Sequence, residues 1–475
     1  MFLRFIFLIV LFICVSFFGG DAVWGRTVYV SSSIGNDENN GSEQNPLRTI
    51  KRAIEKGDTI LLRCGDVFYE NVSLSNCYLS KYNKGPLPII CGYKRISSAV
   101  WEKVEKNIWR IFLKGDGFCG HSVSLESSVA NNVGCIHEYD CDKIHGRKLQ
   151  YRSQLKKNWD FWQTEHFRRE ETRDVDFDTL YLFLNSDPNL LYLEFSIGMN
   201  GVTMNNATIE NVQIEGFGRH GIAAQTHSII RNCKIDAIGG MTPIGSTNFT
   251  ALGNGVEFYV ARDVDSCLVE NCVISRCYDC GVTIQASERG QATPSNIIVQ
   301  KNLIKDCCQG WEDFLRNDSN VVYLNCAFQE NVVVNSGKTS GFDYPNRFKY
   351  CHVLGNNFKG NKGMVIKKNI FVGGNYYCSG AYKGEYKSNV WMGNVCYIKR
   401  GDYILSNYTG TKDVIRIPIE KGNYKSLKAA TNGAIAKYRE MTGDRTTRFV
   451  VKNEGFLSKK IRKEKTKNEN RISKL

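Results

Sequence analysis

The sequence predicts an all-β chain: a right-handed parallel β-helix (solenoid) with an inserted small β-rich segment and short capping helices. Three observations predict it. A degenerate unit recurs from about Thr203 to Tyr397, in which a Gly precedes alternating apolar residues, a polar corner follows, and an Asn leads into another short apolar strand. The strands are short, rich in Val and Ile and alternate with period two, while Gly and Asn sit at the corners, where Asn tolerates the left-handed bend. Helical periodicity is absent over the same span. A β-sandwich also uses short strands, but only stacked coils ask for one Asn slot before each of them, because identical side chains on successive rungs form hydrogen-bonded ladders.

The elements follow in chain order. Residues 1–22 read as an export signal, with Arg4 ahead of an apolar run, Phe5 to Phe18, that is too short for a comfortable membrane span, and with small residues at Gly20 and Ala22 before a cleavage point at Val23. Residues 23–86 form an amino-terminal cap and first coil. Within them Leu47 to Glu55 spaces its apolar residues like a short capping helix, and Asp58 to Arg63 and Val67 to Val72 read as strands. Residues 87–200 interrupt the pattern with charged and Trp-rich segments, notably Asn158-Trp159-Asp160-Phe161-Trp162, and read as an insertion with its own small sheet. Residues 201–418 carry the solenoid. Residues 419–455 hold a helix, Tyr424 to Met441, expected to pack across the solenoid end. Residues 456–475 read as a basic disordered tail, since Lys459 to Leu475 holds eight Lys or Arg against two Glu and few apolar residues.

Charge and cysteine content narrow the chemistry. The formal net charge is +14, much of it in that tail, and the remainder is compatible with an acidic glycan partner. No stretch after the signal is apolar for long enough to span a bilayer. The 18 cysteines are diluted over 475 residues, and several occupy one repeated slot, as in Asn232-Cys233-Lys234-Ile235 and Asn271-Cys272-Val273-Ile274. There cysteine acts as a small buried apolar residue. The isolated Cys277-Tyr278-Asp279-Cys280 pair has no second pair or neighbouring histidines to complete a zinc site.

Aligning the coils on their glycines locates candidate chemistry. Gly221-Ile-Ala-Ala, Gly255-Val-Glu-Phe, Gly281-Val-Thr-Ile, Gly310-Trp-Glu-Asp, Gly341-Phe-Asp-Tyr and Gly363-Met-Val-Ile place Ala223, Glu257, Thr283, Glu312, Asp343 and Val365 in one outward column. On rungs about 4.8 Å apart, Glu312 and Asp343 start one rung apart and Glu257 and Glu312 two. Glycosidases need paired carboxyls, roughly 5–5.5 Å apart for retention and 6.5–9.5 Å for inversion. Glu257, Glu312 and Asp343 are therefore the candidate acid and base residues. Asp313, Tyr259 and Gln285, further along the same strands, are candidates for substrate binding. Arg347 is placed to clamp a uronate or sulfate, and Lys349 is a base if its pKa is depressed. The same acids suit calcium, which takes six to eight oxygens. His220 and His227 flank one turn and read as structural, and Trp159 and Trp162 suit either sugar stacking or core packing.

Taken together, Val28-Tyr-Val-Ser, Gly35-Asn-Asp, Asn45-Pro-Leu-Arg-Thr-Ile and Gly57-Asp-Thr-Ile-Leu-Leu, followed by His220-Gly-Ile, Gly253-Asn-Gly-Val-Glu-Phe and Asn331-Val-Val-Val-Asn-Ser-Gly, resemble the successive coils of the pectate-lyase-like superfamily of secreted right-handed β-helix proteins. The resemblance spans most of Thr27 to Val372. It implies extracellular or periplasmic glycan chemistry by a lyase, a hydrolase or an epimerase. Lyase members use a Lys or Arg base beside calcium-binding carboxylates, and no run here matches that motif residue by residue. The reading is thus a secreted polysaccharide-degrading enzyme, hydrolase ahead of lyase. A non-catalytic glycan-binding β-helix is the third alternative, and a monomer is expected.

Overall fold

A computed structural model describes residues 25–472, except 96–99, 114–131, 165, 170–173, 177–178, 242–251, 261, 287–292, 316–321, 338–350, 357–362, 375, 381–386, 388, 407–413 and 420–423. The export signal falls outside the described residues. Each coil contributes one strand in turn to three 10-stranded sheets. One run of the chain passes from Val264–Glu270 in the first sheet to Val273–Cys277 in the second and Cys280–Ala286 in the third, and the next coil repeats this from Pro294. Every pairing in the first two sheets is parallel. The third is parallel until Ile415–Arg416 closes it antiparallel on Tyr403–Ser406. This is the right-handed parallel β-helix that the repeat predicted. Its core is a single column of inward residues, such as Ile209, Ile230, Val269, Val299, Phe328 and Ile366 on the first sheet.

The repeated Asn slot divides into two adjacent positions at the bend between the first and second sheets. Asn211, Asn232 and Asn271 adopt positive φ of 59°, 54° and 54° and make the bend itself, a position that Lys301, Glu330 and Lys368 fill on later coils. One residue further on, Asn302, Asn331, Asn369 and Asn394 form a buried ladder. Each Nδ2 donates to the Oδ1 of the next at 3.0–3.2 Å, and each of Asn331, Asn369 and Asn394 also accepts from the backbone N–H of the Asn one coil earlier. On earlier coils Cys233 and Cys272 occupy this ladder position, fully buried, and all the described cysteines are free thiols. Asn389, which also leads into a short apolar strand, lies instead ahead of the first-sheet strand Val390–Met392.

Helix α1, Ile50–Ile54, is capped by the Thr49 side chain and buries Ile50 and Ala53 over the first coil. Helix α2, Tyr424–Thr442, packs against the last third-sheet strands and drives Tyr438 into the core. The basic tail is not disordered: Glu454–Ile472 forms a third helix, α3, across the outer face of the second sheet. The physical reason lies in the sheet. Val273, Leu303, Val332 and Val334 point outward there, and α3 covers them with Ile461 while Leu457 is also buried. Its charges are absorbed by Lys465–Asp306 (2.6 Å) and Lys460–Glu464 (2.6 Å).

The insertion breaks the coil that begins with Tyr78–Tyr82. Ile89–Cys91 still belongs to the second sheet, so the solenoid continues past the expected boundary at 87. Two four-stranded antiparallel sheets follow, closing over their own core of Trp101, Trp109, Val133, Phe161, Leu180 and Phe195. The two ends of the insertion pair with each other, Tyr93 opposite Ser196 and Lys94 opposite Phe195, before the chain re-enters the third sheet at Val202–Asn205. Trp159 stacks on His145 at 3.6 Å and Trp162 packs on Tyr181, so both serve the fold of the insertion. No helix of the described residues is long and apolar enough to cross a membrane.

Candidate active site on the third sheet

A stack of glycines heads the third-sheet strands. A Cβ on Gly221, Gly255 or Gly281 would come within 2.6–2.9 Å of the carbonyl oxygen of the next glycine in the stack, and one on Gly310 would lie 2.7 Å from that of His352. Only glycine permits that approach. The stack brings Ala223, Glu257, Thr283 and Glu312 into register on successive coils. The next position is Leu354, on strand Cys351–Asn356. Asp343 is therefore not the coil partner of Glu312. It belongs to the long connection between Val334 and Cys351, where Asp343, Arg347 and Lys349 all lie outside the described residues. Val365 is likewise displaced, to the first sheet, because Gly363-Met-Val-Ile repeats the apolar pattern but starts a different strand.

Glu257 and Glu312 point away from the core yet are only 6% exposed, with Thr283 fully buried between them. The Thr283 hydroxyl donates to Glu312 Oε2 at 3.0 Å. Gln285 donates its amide to Glu257 Oε1, and Tyr259 stands half-buried opposite Gln285 on the adjacent strand. The other Glu257 oxygen faces His220 Nε2 at 3.3 Å. His220 Nδ1 accepts the Asn254 backbone N–H at 3.2 Å, which leaves the proton of the neutral ring on Nε2, where it donates to Glu257. Burial lowers the His220 pKa, against the pull of Glu257, and so favours this neutral tautomer. His220 is thus part of the site. Its signal in the sequence was its place directly before Gly221 of the stack, whereas His227 is an exposed corner residue with φ 50°.

Asp313 does not join the substrate face. Strand alternation turns it inward, opposite Ile284, where it is 1% exposed and has only the Asn389 and Trp311 side chains as poorly aligned donors among the described residues. Burial pushes its pKa up to about 8, only partly opposed by Asn389 and Trp311. Such a group is protonated in the folded protein and ionised in the unfolded chain between its ordinary value of 3.8 and about 8. Its contribution to stability is complete below pH 3.8 and is lost as pH rises through about 8. Thermal melts of the wild type should accordingly fall across this window, and Asp313→Asn should flatten the fall. Parallel pH profiles for the two proteins would refute the assignment.

Two carboxylates two coils apart, with backbones about 9–10 Å apart at 4.7–4.9 Å per rung, can act from opposite sides of a bond. Gln285 and His220 both donate to Glu257 and fix its orientation, as a positioned base requires. Both carboxylates could also contribute oxygens to a calcium ion. Among the described residues, however, no three His, Cys, Asp or Glu side chains converge as a metal-holding group.

No protein-family model matches the chain, and no curated protein matches it. Solved structures do. The complex of XylC with xylose aligns with 90% of this chain and 83% of its own, at 14% identity and a TM-score of 0.50. The GH136 lacto-N-biosidase from Eubacterium ramulus covers 82% of this chain and 66% of its own, at 14% identity and TM-score 0.41. A rhamnogalacturonan lyase covers 82% and 78%, at 10% identity and TM-score 0.39. The chain shares the fold of the first of these. At these identities nothing beyond the fold follows.

Proposed function

We propose that the protein is a secreted carbohydrate-active enzyme of the pectate-lyase-like superfamily, a glycoside hydrolase working by inversion, with Glu257 as general base and Glu312 as general acid. The observation that carries this reading is the Glu257–Thr283–Glu312 column, two sheltered carboxylates separated by one coil. Inversion needs room for a water between base and sugar, with the carboxyl groups roughly 6.5–9.5 Å apart, and a two-coil spacing supplies it where a one-coil spacing would not. Glu257, oriented by His220 and Gln285, would take the proton from that water. Glu312 would protonate the leaving oxygen. Tyr259 and Gln285 extend the same face and would contact flanking sugars. Export is part of the proposal and rests on the apolar run Phe5 to Phe18. The xylose complex of the same fold agrees with glycan chemistry but does not choose the reaction.

The test is the product. Purified protein incubated with a panel of polysaccharides should release new reducing ends of inverted anomeric configuration, with no rise in ultraviolet absorbance. Absorbing, unsaturated ends formed only with calcium would replace this reading by a lyase. Binding without any product would leave a glycan-binding solenoid.

A further inference from the structure

A groove of ≈ 710 Å³ lies on a different face of the molecule, over the second sheet. Its floor is the outward side of that sheet, including Lys234, Asp236 and Ser275. The insertion contributes Asp142 to its lining and α3 contributes Glu469. Two elements that do not belong to the solenoid thus border a single stretch of sheet. The volume is that of an ordinary small-molecule site.

The charges lining the groove are unequally committed. Asp236, 4% exposed, is bound by Arg276 through both carboxylate oxygens at 2.9 and 2.7 Å and by the Ser275 hydroxyl at 2.8 Å. Arg276 continues to Asp142 at 3.1 Å, tying the insertion to the sheet. Lys305 pairs with Glu469, and Asp306 with Lys465. Every acid in the groove is therefore neutralised by a cation of the protein. Two lysines make no close ion pair in return: Lys81 has no acceptor among the described residues, and Lys234 stands 3.8 Å from the already saturated Asp236, with the Glu215 carboxylate as a more distant neighbour. Between them stand the corner residues Asn211 and Asn232, and the Asn232 Oδ1 is a buried acceptor without a donor.

We infer that this groove is a second binding site, for an acidic sugar. Its carboxylate would sit between the Lys81 and Lys234 ammonium groups, and its hydroxyls would meet the polar corner residues Asn211 and Asn232 that line the groove between them. A neutral sugar leaves both lysines unused, and a simple inorganic anion leaves the corner residues Asn211 and Asn232 unused. The site is independent of the chemistry assigned to the third sheet.

Titration of the full-length protein with trigalacturonate and with its uncharged methyl ester tests the inference, together with acylation of lysines read by mass spectrometry. Trigalacturonate should protect Lys81 and Lys234 from acylation, in the wild type and in Glu312→Gln alike, and the ester should not. Lys81→Gln combined with Lys234→Gln should weaken this binding by about tenfold or more, as loss of charge-assisted hydrogen bonds does, with an unchanged melting temperature. Raised salt should weaken it too. Unprotected lysines, equal binding of acid and ester, or full affinity in the double variant would each overturn it. Should the double variant not fold, the protection pattern of the wild type decides.

Discussion

Glu312→Gln should lower turnover by about 10²–10⁴ while leaving the fold intact, because a positioned acid or base contributes about that much to rate. Glutamine keeps the side-chain shape and can still accept the Thr283 hydroxyl, whose 3.0 Å hydrogen bond is the contact most easily lost by a cruder change. Glu257→Gln should cost a similar factor by removing the base. His220→Asn should cost less and move the acidic limb of the pH profile, since the histidine acts through Glu257 and not on the sugar. Thr283→Ala should fall between wild type and Glu312→Gln. Initial rates on the best substrate of the panel, with melting temperatures as the control on folding, check the series. Wild-type turnover in both Glu257→Gln and Glu312→Gln would show that the column is structural. Loss of activity on chelation, matched by these same variants, would assign it to calcium ligation.

The largest expected effect on stability is at the centre of the asparagine ladder. Asn331 Oδ1 accepts from the backbone N–H and the side chain of Asn302, both at 3.0 Å, and its Nδ2 donates to the Val299 carbonyl at 2.9 Å and to Asn369 Oδ1 at 3.2 Å. Asn331→Ala removes all four hydrogen bonds in a fully buried place and leaves the Asn302 backbone N–H without its acceptor. An unmet buried hydrogen bond costs about 1–3 kcal/mol, and neighbours in one network do not add simply, so a loss on the order of 4 kcal/mol is expected. That is a large fraction of the stability of an ordinary domain. Urea unfolding should show it as a fall in midpoint with little change in slope. A loss below about 1 kcal/mol would mean that the ladder relaxes around the gap.

The solenoid was legible because its period is carried by residue types that backbone geometry demands. Glycine at 221, 255, 281 and 310 is required by the close approach of successive coils, so aligning on it recovered the Glu257–Thr283–Glu312 register. The same rule failed where the stack ends. His352 takes the glycine position on the next coil, and Gly341 offered a false match with Asp343 behind it. The Asn slot was misread by one residue for a related reason. A left-handed corner and a buried ladder both favour Asn, and the sequence alone does not say which of two adjacent positions is which. Asp313 was taken for a surface residue because polar residues usually are, although its place next to Glu312 on an alternating strand puts it inside. In α3 the charge count hid a stripe of Leu457, Ile461, Glu464 and Asn468, all on one side of a helix. The matching signal was in the sheet: Asn331-Val332-Val333-Val334 is apolar on both faces, which a solvent-facing strand is not.

The pairing of Tyr93 with Ser196 at the base of the insertion also bears on the order in which the chain assembles. Thr59–Arg63 pairs with Tyr78–Tyr82 and Val67–Phe68 with Ile89–Cys91 ahead of the insertion, but strand Val72–Ser75 finds its neighbour only at Val202–Asn205, so the third side of the first two coils cannot close until the chain returns from the insertion. Closing so long a loop in a disordered chain carries an entropy penalty that grows with the logarithm of its length. An insertion with a core of its own folds first and delivers its two ends side by side, so that the solenoid then meets a connection no longer than an ordinary corner.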